Sequence, residues 1–126
     1  MSTRTRTEKL GVKPGLRVAV IGLKDPEFME ELKEAGARVS ARSGPGPFDM
    51  IVLRLDSTSD LPLLLDAKKR IVPNGMLWAV WPKGRKEFRE DDIRHFGPQA
   101  GLVDVKVMAF SDILSGLKLV IPLALR

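Results

Sequence analysis

The 126-residue chain has no cysteine and a single histidine, His95. Disulfides, thiolate metal sites and cysteine nucleophiles are thereby excluded, as is any site built from two imidazoles. Carboxylates are left for acid–base work. Asp49 and Asp56 lie near the two ends of the apolar run 48–55 (FDMIVLRL), and Asp56 stands where a sheet would open into a crevice. Neither has a base or nucleophile nearby in sequence, so both are expected as surface turn residues. His95, between Ile93 and Phe96, is expected to flank the apolar face of an amphipathic helix. These residues point to no catalytic set, no metal site and no bound cofactor.

The cations suggest a different chemistry. Lys24 and Arg42 each follow a run expected to be a strand, and together they would form an anion site where open α/β sheets bind ligands. Asp25, Glu27, Glu30 and Glu31 crowd the adjoining helix start with negative charge and oppose a bound phosphate, so solvated side chains are expected. Residues 83–89 (KGRKEFR) are the main basic cluster outside the N-terminus. Phe88 is its only interleaved aromatic, and Glu90, Asp91 and Asp92 follow, which favours a solvated loop over a nucleic-acid surface. Three of the charges behind the net +5 are Arg4, Arg6 and Lys9. They sit in residues 1–12, expected to be a flexible basic tail, with the folded domain over 13–126.

Short apolar runs and turn signals set out the elements that carry these residues. Residues 17–23 (RVAVIGL), 48–55 and 76–81 (MLWAVW) are expected as strands buried on both faces. Residues 37–43 (ARVSARS) alternate, which predicts a strand covered on one face, with Arg38, Ser40 and Arg42 on the other. Asp25-Pro26 caps and opens a helix that ends at Gly36; a second helix opens near Ser59 or Asp60, and a third passes through Ile93 and Phe96 before Gly97-Pro98. Residues 102–110 and 117–125 are expected as a final strand pair around a loop at Ser115-Gly116, with no room for a helix and therefore antiparallel. The result is an α/β fold of three layers around a mostly parallel, Rossmann-like sheet of about six strands. Trp78 and Trp81, three apart, face opposite sides of their strand, with Trp81 beside Pro82-Lys83 at a crevice mouth.

This pattern resembles the class I, S-adenosylmethionine-dependent methyltransferase fold in shortened form, which implies the strand order 2-1-3-4-6-5, an open edge at the second strand guarded by Arg38 and Arg42, and an internal last strand in which pairing must end near Ile121 or pass Pro122 through a bulge. Lys13-Pro14-Gly15-Leu16-Arg17-Val18 is similar to the phrase before that family's first strand, and Ile71-Val72-Pro73-Asn74-Gly75 to the phrase before its fifth. Leu102-Val103-Asp104-Val105, after Ala100-Gly101, resembles the start of its sixth. Phrases such as Trp81-Pro82-Lys83 and Ser115-Gly116-Leu117-Lys118 also resemble a family of small bacterial proteins that carries no established activity.

The resemblance implies an acid at the end of the first strand, a glycine-rich turn after it, and a second acid at the end of the second strand. In Val20-Ile21-Gly22-Leu23-Lys24-Asp25-Pro26 only Gly22 fits: Val20 stands at the acid, Lys24 at the second glycine and Pro26 near the third. Ser40 to Arg42 hold no acid, and the family's helix, strand and helix after the second strand shrink to the few residues before Phe48. The expectation is a non-catalytic domain with a degenerate cofactor site. It would bind a protein partner or small ligand in a crevice of Gly22, Lys24, Asp25, Asp56, Trp81 and Lys83. The alternatives are a methyltransferase with an unorthodox site, and a nucleic-acid accessory protein using Arg4, Arg6, Lys83, Arg85, Lys86 and Arg89. No apolar run is long enough to span a bilayer and residues 1–9 lack a signal-peptide core, so no membrane partner and a cytoplasmic location are expected.

Overall fold

The structure, a computed structural model, describes residues 5–40, 44 and 46–126. Its strands are β1 (Arg17–Ile21), β2 (Arg38–Ser40), β3 (Phe48–Arg54), β4 (Ile71–Pro82), β5 (Val103–Ala109) and β6 (Leu114–Val120). They form one sheet in the order β2-β1-β3-β4-β6-β5, as the resemblance implies. The β1–β2, β1–β3 and β3–β4 pairs are parallel, and β6 is antiparallel to both its neighbours. Four helices flank the sheet: α1 (Arg6–Leu10), α2 (Pro26–Glu34), α3 (Leu63–Lys68) and α4 (Glu90–Phe96).

Alternation along the central strands splits the core into two layers. Ala19, Ile51, Leu53, Leu77, Ala79 and Trp81 face the layer closed by α3 and α4, through Leu64, Ala67 and Ile93. Val18, Val20, Met50, Val52, Trp78 and Val80 face the layer closed by Leu10, Phe28 and Leu32. The two tryptophans thus sit on opposite faces, as their spacing requires. Helix α2 opens as expected: the Phe28 amide donates to Asp25 Oδ1 at 3.0 Å and Pro26 fills the first turn. Helix α4 gives way at Gly97 to a 3-10 turn, Gly97–Ala100. His95 is exposed on α4.

Three expectations are corrected. First, residues 5–10 are not a loose tail. Thr5 and Glu8 exchange capping hydrogen bonds, Leu10 is 1% exposed, and its carbonyl accepts a 3.1 Å hydrogen bond from Trp78 Nε1. A buried indole N–H needs an acceptor, and the end of α1 supplies it. Second, the final hairpin turns earlier. Ser115 and Gly116 lie inside β6, and the turn is made where Ser111 Oγ accepts from the Leu114 amide at 3.1 Å. Gly116 is a point of close packing, since a Cβ there would meet the Trp78 ring at 3.4 Å. Strand pairing ends at Val120, which frees Pro122 from any ladder. Third, β4 begins at Ile71, and Pro73-Asn74-Gly75 is a break in register within it: Phe48 pairs with Ile71, Met50 with Met76.

Strand β2 is a sheet edge with Arg38 exposed and Val39 packed against the core. Arg42, Ala41 and Arg4 lie outside the described residues, so the guarding role of Arg42 and its part in an anion site are not addressed by the structure.

Candidate functional site

The carboxyl ends of β1, β3 and β4 lie side by side with the amino end of β6, so the loops after the three parallel strands share one end of the sheet. Two depressions open there. The first, about 500 Å³, lies after β1 and is lined by Val20, Gly22, Leu23, Lys24 and Arg54. The second, about 390 Å³, lies after β4 and is bounded by Trp81, Lys83, Arg85, Lys86, Phe88, Arg89 and Ser115, with Gly84 and Glu90. The six crevice residues predicted from the sequence are therefore divided: Gly22 and Lys24 belong to the first depression, Trp81 and Lys83 to the second, and Asp25 and Asp56 line neither.

In the first depression Gly22 has φ +76°, the left-handed conformation that lets the chain turn directly off β1. Val20 is buried, Lys24 is exposed, and among the described residues no carboxylate lines the wall. Arg54, the last residue of β3, enters beside Lys24 and is held by Asp56 through a 3.0 Å bond from Nε to Oδ1. Nothing in the sequence around Arg54 marks it as a site residue; it reaches the depression because β3 pairs with β1 in parallel register, Ile21 opposite Leu53. Asp25, one residue beyond Lys24, is turned away. Its carboxylate caps α2 and lies 3.7 Å from Arg6 Nη1.

Arg6 also removes the repulsion expected from Glu31, donating to both its carboxylate oxygens at 3.0 and 2.7 Å. Its guanidinium lies 4.8 Å from the ring centres of Phe28 and Phe110. The hydrogen bond to Glu31 holds its pKa above the ordinary guanidinium value, against the effect of burial. This residue is committed to packing and is not part of a basic surface.

In the second depression Phe88 is 1% exposed and anchors the loop to the α3–α4 side of the core. Arg85 Nη1 donates to the Asp56 carbonyl at 3.2 Å, tying the loop after β4 to the turn after β3. Asp56 itself is a turn residue, its amide donating to Asp60 Oδ2 at 2.8 Å. Asp49 lies at the opposite end of the sheet, at the start of β3, where it accepts from the Arg17 amide at 2.9 Å and the Arg17 guanidinium at 3.2 Å. The side-chain hydrogen bond from Arg17 lowers the Asp49 pKa below the ordinary aspartate value. Among the described residues no group of three or more His, Cys, Asp or Glu side chains is placed to hold a metal ion.

No family model matches the sequence, and no curated protein matches it. Solved structures do. The chain is similar to a SAM-dependent methyltransferase from Aquifex aeolicus, at 14% identity and TM-score 0.68, with 89% of this chain and 85% of that one covered. A TehB-like SAM-dependent methyltransferase from Corynebacterium glutamicum matches at 13% identity and TM-score 0.63, over 93% and 86% of the two chains. The ribosomal protein L11 methylase of Lactobacillus delbrueckii subsp. bulgaricus matches at 16% and 0.59, over 90% and 73%. At these identities what is shared is architecture, and the chain has a shortened form of the Rossmann-like fold of the SAM-dependent methyltransferases.

Proposed function

We propose that the chain is a non-catalytic binding domain that takes a small anionic ligand in the depression after β1. The observation that carries this is the lining: Lys24 and Arg54 with Val20, Gly22 and Leu23, and no carboxylate. S-adenosylmethionine brings a sulfonium and an ammonium cation, which need acidic or carbonyl acceptors. The described lining meets these charges with Lys24, Arg54 and a buried valine, and the nearby Asp56 carboxylate is already taken up by Arg54. A phosphate or carboxylate ligand instead meets charge-assisted donors from Lys24 and Arg54.

Inorganic pyrophosphate is a suitable probe. Calorimetry is expected to show saturable binding to the native chain. Replacing Lys24 and Arg54 together by glutamine is expected to weaken it about tenfold, the order of one charge-assisted hydrogen bond. A flat titration of the native chain, or equal binding by the double variant, contradicts the reading.

A second reading, a methyltransferase with an unorthodox cofactor site, is supported by the fold shared with the SAM-dependent enzymes. Fold alone does not carry an activity, and the lining of the depression argues against this one.

A further inference from the structure

We infer that the loop after β4 is a binding surface for the phosphate backbone of nucleic acid, read without regard to base sequence. This rests on the second depression alone and holds whether or not the depression after β1 takes an anion.

Lys83, Arg85, Lys86 and Arg89 are all exposed and all border the same depression. Among the described residues none of the four makes an ion pair, although seven such pairs occur elsewhere. Glu90, the acid on the rim, is already engaged by Arg94 at 2.7 Å, and Glu87 lies outside the lining. The loop is held in place: Phe88 is buried, Arg85 bonds to the Asp56 carbonyl, and the Lys83 amide donates to the Ile113 carbonyl at 2.9 Å. Four exposed cations outside any ion pair thus border one concavity on a loop whose backbone is anchored, a local positive field suited to a polyanion.

Two observations select the class of polyanion contact. Trp81 and Phe88 are only 4% and 1% exposed, so no aromatic face is offered for stacking on bases. Nor does the depression hold a buried, unsatisfied polar atom that would recognise a particular small molecule or base edge. Exposed cations on a fixed loop match a repeating phosphate backbone, whose binding depends on counterion release.

The test is fluorescence anisotropy with the full chain and labelled mixed-sequence duplexes, DNA and RNA, of about 20 base pairs, from about 25 to 200 mM salt. Binding to duplexes of unrelated sequence is expected to be equal, with a log–log salt slope of roughly −3 to −4 for four neutralised phosphates. The variant Lys83→Gln/Arg85→Gln/Lys86→Gln/Arg89→Gln is expected to lose at least about tenfold in affinity and most of that slope. A charge-matched control, Lys13→Gln/Lys33→Gln/Arg38→Gln/Lys69→Gln, alters exposed cations at the other end of the sheet and is expected to bind within about twofold of the native chain. Thermal melts of both variants establish that they are folded. No binding at the lowest salt, equal loss in the control, or equally tight binding of poly-glutamate, which would indicate an acidic protein partner, overturns the assignment.

Discussion

Between the rings of Phe28 and Phe110, Arg6 makes contacts 25 and 104 residues away in sequence, with Glu31 and the Phe110 carbonyl. Composition places such a residue in a polar tail, because nothing local distinguishes a guanidinium that will be stacked from one that will be solvated. The same limit hides Arg54, which enters the depression through strand register. Local departures are easier to see: Val20, Lys24 and Pro26 stand where the resemblance implies an acid and glycines, and their types alone depart from that pattern. Replacing Arg6 by alanine strands Glu31 and removes two cation–π contacts, so stability is expected to fall by about 2 kcal/mol. Lysine at that position keeps the charge without the planar fork and is expected to recover only part. Urea denaturation of the three proteins measures this, and equal stability of all three would show that the stacked arrangement contributes nothing.

The elements with strong local signals are those the sequence places well. Apolar runs mark β1, β3 and β4 because both their faces are buried, and Asp25-Pro26 marks the start of α2 through its capping chemistry. Weaker signals mislead. Gly116 suggests a turn but instead yields space to Trp78, and Pro73-Asn74-Gly75 suggests a strand boundary but is a break in register inside β4. Helix α1 spans only five residues, too short for periodicity to register, yet it closes the end of one core layer. Removing residues 1–10 takes away Leu10 and the acceptor for the Trp78 indole. A loss of several kcal/mol is expected, lowering the melting temperature by more than about 5 °C. An unchanged melting curve would mean that α1 is not docked in solution.

At the scale of the whole molecule, room for a helix in each connection decides which strands run parallel, while the strand order is legible only through the resemblance to the methyltransferase fold. The division of the carboxyl-end crevice into two depressions is not legible in the sequence, since it depends on where Arg85 and Phe88 draw the loop after β4. A methyltransferase-like frame with a cationic lining in place of an acidic one is the central claim. Its most direct test is a pair of amide chemical-shift titrations of the same labelled protein, one with S-adenosylmethionine and one with inorganic pyrophosphate. The account predicts that pyrophosphate moves the amides of Gly22, Leu23, Lys24 and Arg54 in a saturable way while S-adenosylmethionine leaves them in place. Saturation of those amides by S-adenosylmethionine at about micromolar concentration, with pyrophosphate inert, would contradict it.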